Sequence, residues 1–368
     1  MKSPAQPRTD HLEFAAALDR ALTREGASHV WSPHSVGTVL GLLATAAAAR
    51  TREELVGLLG EDVPGQLRAL DEAVAGATGL DLATLNGLYV PDDLPVRADF
   101  ADQVNARSGA EVESAGFRDD PDGVRERINA KVSDVTRGLI PRLLPFGSVR
   151  PDTRLLLVNA LWVKMVWSEP FRASATRERT FHAPGGRRRV ATMHRTGRMP
   201  YAAAAGWSMV SLEGEHDLAL DVLLPDTRPP DLPPVTAEAL AALYRGLRPA
   251  EVDLALPRFA VDTDSALLGP LAELGVAELA TDAARFDGIS EEPLRVDALL
   301  HQAVLRVDEK GAEGAAATAA VMVMAAAVPT APVRFTVDRP FVVVLRRRGA
   351  VLFLGRVTDP DDPGPARD

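Results

Sequence analysis

The sequence predicts a mixed fold of α-helices and β-strands, and three features indicate it. Apolar residues recur with helical spacing over residues 12–24 and again over residues 37–49. Residues 155–163 (LLLVNALWV) form a continuous apolar run of strand length, which is typical of strands buried on both faces. The end of the chain adds three strand-like segments, VRFTV, RPFVVVL and AVLFLGRV. Helices and buried strands are therefore expected in the same molecule.

Composition and charge narrow the range of functions. The chain has 368 residues, of which 46% are hydrophobic and 25% charged, and this composition is ordinary for a globular protein with a sizeable core. The net charge of −10 argues against a nucleic-acid partner. Cysteine is absent, so disulfides and thiolate chemistry are excluded. The proline-rich residues 225–234 resemble a linker, but strand patterns resume after them and we expect one domain.

The compartment is only weakly indicated. The N-terminal segment lacks the apolar core of a signal peptide, and no run reaches the roughly 20 apolar residues of a membrane span. We therefore expect a cytoplasmic protein without a membrane partner, or a secreted protein if this chain is a processed mature form.

Enzyme chemistry has little support in the motifs. The Gly-x-Ser-x-Gly pattern of serine hydrolases, the P-loop and the zinc motif HExxH are all absent from the sequence. Without cysteine, the common structural zinc sites are excluded as well. A hydrolase built on two carboxylates stays open on spacing alone, because its acids can come from anywhere in the chain. We expect neither a cofactor nor a metal.

One unusual stretch lies among the C-terminal strands. Residues 309–326 (EKGAEGAAATAAVMVMAA) carry no positive charge after Lys310 and consist mostly of small side chains. As a strand, the stretch has one face without charge, because side chains alternate with a period of two. That face comprises Ala312, Gly314, Ala316, Thr318, Ala320 and Met322. From composition alone, a surface helix or an alanine-rich linker is as well supported as a strand.

Motifs around this stretch resemble those of the serpins, in particular inhibitory members of the bacterial type. DEKG at residues 308–311 precedes the alanine-rich run, and FTVDRPF at 335–341 and FLGRVTDP at 353–360 follow it. The resemblance implies a mixed α+β body with a large central sheet, two smaller sheets, about nine helices and an exposed reactive centre loop. It also implies one domain over residues 1–368, with the loop at 309–333 and a C-terminal tail at 361–368.

The resemblance assigns roles to individual residues. Trp167 is expected at the breach, where the loop first enters the central sheet. The shutter beneath the sheet opening comprises Ser32, Ser35, Asn159 and His301. The hinge of the loop comprises Glu309, Gly311, Ala312, Gly314, Ala315, Ala316, Ala317 and Thr318.

Several local expectations accompany these roles. We expect Ser35 to cap the second helix and Thr51 to cap the third. Lys131 stands where the family usually has tryptophan, and Met165 where it usually has glycine. Two arginine triplets, 187–189 and 346–348, are expected in turns. Each could bind a polyanion, but solvated side chains are the simpler interpretation in a chain of negative net charge.

The implied function is irreversible inhibition of a serine protease by a monomeric suicide substrate. The protease would cleave the loop, form a covalent complex and be trapped when the loop inserts into the central sheet. The small hinge residues favour inhibition, because insertion buries alternate side chains and an unpaired charge would oppose it. The alternative is a non-inhibitory serpin with a storage, carrier or chaperone role.

The resemblance also implies a reactive bond. Counting from the hinge glutamate places the bond between Ala325 and Ala326, with Met324 and then Met322 as the next choices. Cleavage near Pro329 stays open. Residues 312–332 contain no lysine, arginine or aromatic side chain. We therefore expect an elastase-, subtilisin- or chymotrypsin-like target rather than a trypsin-like one.

Overall fold

A computed structural model describes residues 6–76, 79–227, 231–312 and 331–365. Within these residues the chain forms eight α-helices, two short 3-10 turns and two β-sheets. Several predicted site residues lie outside the described residues, namely Gly314, Ala315, Ala316, Ala317, Thr318, Met322, Met324, Ala325 and Ala326. No helix in the described ranges is long and apolar enough to cross a membrane.

The helices fall mainly in the first half of the chain. Their bounds are α1 Thr9–Leu22, α2 Pro33–Ala46, α3 Ala49–Leu59, α4 Val63–Val74, α5 Ala98–Asn105, α6 Pro121–Val135, α7 Ala237–Gly246 and α8 Leu268–Glu273. Ser32, not Ser35, caps α2, because the Ser32 hydroxyl accepts the Ser35 N–H at 3.1 Å. Thr51 lies inside α3 instead of capping it, and its hydroxyl accepts the N–H of Arg285. Both cap predictions were therefore wrong by a few residues.

The strands form a six-stranded and a nine-stranded sheet. Their bounds are β1 His29–Trp31, β2 Asp81–Pro91, β3 Ala110–Ala115, β4 Leu156–Val166, β5 Arg177–Ala183, β6 Gly186–Ala204, β7 Trp207–Glu213, β8 Leu218–Pro225, β9 Arg248–Pro257, β10 Phe259–Ala266, β11 Ala298–Val307, β12 Gly311–Ala312, β13 Val333–Thr336, β14 Phe341–Arg347 and β15 Ala350–Val357. The six-stranded sheet has the order β10-β11-β12-β4-β2-β3, and the order β1-β15-β14-β8-β7-β6-β9-β13 forms the other, with β5 paired to β6.

The two smaller sheets predicted from the sequence form one continuous hydrogen-bonded path. Strand β6 is 19 residues long. It pairs with β9 over residues 192–201 and with β7 over residues 201–204, so it belongs to both halves of the path. A strand of this length spans roughly 60 Å and can join two layers that pack on different parts of the core.

Strand β4 lies at the centre of the molecule and is buried on both faces. Leu157 packs into the cluster that contains α2, whereas Leu156 and Val158 pack into the cluster that contains α6. Helix α2 itself has 13 of its 14 residues buried. The run at residues 155–163 is therefore apolar apart from Asn159, because helices cover both faces of the strand.

The two positions that depart from the family pattern have local explanations. Lys131 on α6 forms ion pairs with Glu111 and Glu113 of β3, at 2.5 and 3.3 Å, so the helix is joined to the sheet by charge at that position. Met165 is fully buried and fills the space beside Gly214, where an added Cβ would lie 2.5 Å from its methyl carbon.

The prediction that both arginine triplets lie in solvated turns was right only for Arg348, which is exposed in the turn after β14. Residues 187–189 are part of β6. Arg346 and Arg347 lie in β14 and are buried, with 2% and 0% of their surface exposed. Arg346 pairs with Asp221 at 2.6 Å, and Arg347 donates to the carbonyl oxygen of Ala73 at 2.7 Å. A buried guanidinium needs such partners, and these are supplied by segments distant in the sequence.

Candidate functional site: the sheet opening and the loop hinge

Strands β11 and β4 run parallel but separate towards one end. They pair directly from Ala298 and Leu156 to Gln302 and Ala160. Further along, the short strand β12 lies between them and pairs antiparallel with both. Among the described residues, no ladder joins residues 161–164 of β4 to residues 303–306 of β11. The six-stranded sheet is therefore closed at one end and held open by β12 at the other.

The four predicted shutter residues meet at the closed end of this opening. His301 and Asn159 are opposite each other in the β11–β4 ladder, and their side chains are joined by a 2.7 Å hydrogen bond between Nδ1 and Oδ1. The N–H of Ser32 donates to His301 Nε2 at 3.0 Å, and Ser35 joins the cluster through its N–H bond to the Ser32 hydroxyl. All four residues are buried.

The hydrogen-bond partners define the protonation state of His301. Its Nε2 accepts the Ser32 N–H and therefore carries no proton, so Nδ1 bears the proton and donates to Asn159 Oδ1. Burial lowers the pKa of His301 to about 4, although the bond to Asn159 opposes this shift. A second proton on Nε2 would face the Ser32 N–H donor. The hydrogen bonds of the cluster therefore favour the neutral form of the His301 imidazole.

Sequence reasoning missed one member of the cluster. The Asn159 amide nitrogen donates to Oδ1 of Asn86, a buried residue in β2 that is opposite Asn159 in the ladder. A polar side chain in the apolar run 85–90 was the available signal, because a buried amide needs a partner.

The hinge glutamate is held in a buried ionic site. Glu309 has 3% of its surface exposed. Its Oε1 accepts the Thr176 hydroxyl at 2.7 Å and lies 3.5 Å from Arg258 Nη1. Arg258 also pairs with Asp362 at 2.8 Å. The hinge is thereby linked to the predicted C-terminal tail, and neither Thr176, Arg258 nor Asp362 was assigned this role from the sequence.

Trp167, the predicted breach residue, directly contacts the start of the hinge. Its indole Nε1 donates to the carbonyl oxygen of Asp308 at 2.9 Å, and its backbone N–H donates to that of Lys310 at 3.1 Å. Phe171 packs edge-on against the indole with ring centroids 6.3 Å apart. Burial raises the pKa of Asp308, whose carboxylate accepts the N–H groups of Lys310 and Gly311 in a tight turn.

Strand β12 fits closely into the gap between β4 and β11, which we call the slot. Gly311 is opposite Val166, and a Cβ added to the glycine would lie 1.9 Å from the carbonyl oxygen of Met165. Ala312 has 1% of its surface exposed and pairs with both Met165 and Val307. The slot therefore has no room for a side chain at position 311 and admits only a small one at position 312.

Comparison with known proteins assigns the chain to a family. The family model described as "Serpin (serine protease inhibitor)" matches residues 10–360. The chain belongs to the serpins. Serpin-Z1C of Triticum aestivum is 31% identical, with 95% of this chain and 94% of that protein covered. Glia-derived nexin of Mus musculus is 30% identical over 90% of this chain and 87% of its own length.

Solved serpin structures share the fold, and the predicted mixed α+β serpin architecture is confirmed. Native protease nexin-1 with heparin superimposes with a TM-score of 0.81 at 24% identity, covering 96% of this chain and 99% of its own. Thyroxine-binding globulin in complex with thyroxine gives 0.82 at 23%, and uncleaved ovalbumin 0.82 at 20%, each with 96% and 99% coverage. The family is described as serine protease inhibitors, and it also has non-inhibitory members.

Proposed function

We propose that this serpin is an irreversible suicide-substrate inhibitor of serine proteases. The observation that supports it is the position of β12, which already pairs with β4 and β11 at the open end of the sheet. Both registers agree on where an inserted strand would go. A strand continued from Ala312 in either register would bring Thr318 opposite Asn159 and His301 together. A strand inserted into the slot would therefore reach the shutter residues.

Insertion past the shutter requires the closed end of the sheet to open. The direct pairing of β11 and β4 over residues 298–302 and 156–160 would be lost, together with the bond between His301 and Asn159. In return, an inserted strand forms ladder hydrogen bonds to both neighbours, each contributing about 0.5–1.5 kcal/mol. Each strand edge along the slot then has a partner, so the inserted state is favoured while the shutter supplies a barrier.

The chemistry belongs to the attacking protease. Its serine oxygen would add to the carbonyl carbon of the residue before the scissile bond, and the peptide nitrogen would leave with a proton from the protease histidine. An ester then joins the protease to the hinge side of the loop. Because cleavage frees this side from β13, the hinge can insert and carry the acylated protease with it. The inhibitor needs no cofactor for this step and is consumed once, as a monomer in a one-to-one complex.

The same slot favours an inhibitor over a carrier or storage protein. Ala312 and Gly311 are small and uncharged, and the alternate residues that follow on the same face are small or apolar as well. A buried charge or bulky side chain among them would oppose insertion. The absence of lysine, arginine and aromatic residues over 312–332 favours an elastase-like or subtilisin-like target. Cleavage after a methionine in this segment would also suit a chymotrypsin-like protease.

Incubation with elastase, subtilisin and chymotrypsin tests the proposal. At least one enzyme is expected to give a complex with the combined mass of the two proteins that survives boiling in SDS. Residual activity should fall to zero with time at excess inhibitor. Cleavage of the loop by all three enzymes with full protease activity retained would favour the non-inhibitory alternative instead.

A further inference from the structure

The hairpin formed by β5 and β6, with the segment that leads into it, concentrates positive charge in an acidic protein. Residues 172–189 contain six arginines and one glutamate, so their net charge is six minus one, or +5, against −10 for the whole chain. Five of these arginines are exposed. They are Arg172, Arg177, Arg179, Arg187 and Arg189, and we call them the hairpin arginines.

The hairpin arginines are not neutralised by acidic side chains. Within the described ranges, none of the five forms an ion pair, whereas Arg188 between them pairs with Asp359 at 2.9 Å. Two of them donate to backbone carbonyl oxygens, Arg177 to those of Ser174 and Thr176 and Arg189 to that of Glu178. Such bonds orient a guanidinium group without reducing its charge.

Elsewhere the chain neutralises exposed arginines locally. Arg150 and Arg285 each pair with an aspartate two residues later, at 2.9 and 2.7 Å, and Arg50 pairs with Glu54 one helical turn away. In the hairpin, no arginine is followed two residues later by an acidic residue; the residue two positions after Arg177, for example, is Arg179. Other exposed arginines also lack ion pairs, so what distinguishes the hairpin is that five such arginines lie within 18 residues.

The arginines lie around an outer sheet edge that no described strand covers. Strand β5 pairs only with β6, so its outer edge has no neighbour among the described strands. Arg189 is opposite Thr180, whereas Arg179 is opposite Val190, so the two arginines extend from opposite faces of the ribbon. Successive charges on one strand lie about 7 Å apart. A charge distribution that wraps around an edge suits a flexible chain better than a rigid duplex or a flat membrane.

We propose that the hairpin arginines bind a flexible linear polyanion that carries sulfate or phosphate groups. Guanidinium groups form paired, charge-assisted hydrogen bonds with both kinds of oxyanion. The site adjoins the loop hinge, because Thr176 at the entry to β5 donates to Glu309. Binding of the polyanion does not depend on the proposed inhibitory function, so it can be tested separately.

The test compares two variants of equal charge. One replaces Arg177, Arg179, Arg187 and Arg189 by glutamine. The other makes the same replacement at four exposed arginines on or beside α1, α4 and α6 that also lack ion pairs, namely Arg20, Arg24, Arg68 and Arg127. Both variants change the net charge by −4, so overall repulsion of a polyanion is matched. Far-ultraviolet circular dichroism and the thermal midpoint establish that each variant is folded.

Binding is measured on heparin, inorganic polyphosphate and polyglutamate matrices as a function of sodium chloride concentration. The wild-type chain and the α-helix variant should be retained on heparin, polyphosphate or both at about 0.1 M salt, and the hairpin variant should bind at least about tenfold more weakly. The slope of log Kd against log salt should become shallower by about one for each lost contact. Retention on only one of the two polyanions identifies sulfate or phosphate as the ligand group.

Four results would overturn the proposal. The wild-type chain could pass through both polyanion matrices at low salt, the two variants could weaken equally, or the hairpin variant could bind as tightly as the wild type. Retention on polyglutamate alone would also overturn it, because that result indicates an acidic protein partner.

Discussion

His301 Nδ1 and Asn159 Oδ1 lie 2.7 Å apart across the boundary between β11 and β4, one residue before the end of the directly paired part of these strands. Beyond this bond the strands separate, and β12 occupies the space between them. One buried hydrogen bond thus marks the limit of the closed sheet. This position relates the stability of the native protein to the ease with which the sheet opens.

Replacing His301 by alanine is expected to destabilise the native state. The change leaves the Ser32 N–H and the Asn159 carbonyl oxygen without their partner, at a cost of about 1–3 kcal/mol for each orphaned group. Urea unfolding should show a lower midpoint, and size-exclusion chromatography after mild heating should show more polymer. His182→Ala, on β5, is the control. Equal stability of the His301 and His182 variants would contradict a structural role for the cluster.

The free energy of unfolding should fall as the pH falls from about 6.5 to 4. Burial lowers the pKa of His301, His11 and His34 to about 4 in the folded protein. The unfolded chain has the ordinary value of about 6.5, so it binds protons first and is favoured as the pH falls through this interval. Above about pH 7 these histidines are neutral in both the folded and the unfolded chain, so they no longer make the free energy of unfolding depend on pH.

Urea-unfolding midpoints at a series of pH values provide the measurement. The variant His301→Gln should show a shallower loss of stability in that interval, because one of the three groups no longer titrates. An unchanged slope would show that His301 is protonated equally easily in both states.

Replacing Ala312 by arginine should convert the inhibitor into a substrate. Insertion would require burial of a guanidinium without a partner at a position that is 1% exposed. The stoichiometry of inhibition should rise severalfold, and gels should show cleaved chain in place of the covalent complex. Ala272→Arg places the same side chain on the exposed surface of α8 and should behave as the wild type. Unchanged stoichiometry in the Ala312 variant would contradict its inward position.

Gly311→Ala should release β12 from its slot even without a protease. The added Cβ would lie 1.9 Å from the backbone oxygen of Met165, a clash that no side-chain movement relieves. Hydrogen exchange should become faster at the Trp167 amide, which donates to the Lys310 carbonyl beside this residue. Gly57→Ala, at an open position in α3, is the control, and hydrogen exchange at the Trp167 amide should be unchanged or slower in that variant. Equal protection of Trp167 in both variants would show that the slot is wider than the geometry indicates.

Cleavage by elastase should release a short C-terminal fragment that begins at Ala326 or within two residues of it. The prediction follows from the hinge glutamate and from the apolar composition of residues 312–332. Mass spectrometry of the fragment gives its first residue directly. A fragment that begins beyond Pro329, or efficient inhibition of trypsin, would refute the assignment of Ala325–Ala326.

The sequence by itself determined which segments form the main elements. The apolar run at 155–163 is β4, and the helical pattern at 12–24 corresponds to α1 at Thr9–Leu22. These signals are local, because burial on two faces or on one helical face leaves its period in the sequence. Ser32, Ser35, Asn159 and His301 were named together only because their motifs resemble those of a family, since no local pattern relates residues so far apart.

Only the tertiary structure decided which buried polar residues are hydrogen-bond or ion-pair partners. Asn86 completes the hydrogen-bonded cluster, and Arg258 pairs with both Glu309 and Asp362. Arg347 is buried although its sequence surroundings suggest a solvated turn, because α4 supplies carbonyl oxygens that its guanidinium can bind. The partner of a buried polar group is set by the packing of distant strands and helices, and a single sequence has no periodicity that records such a pairing.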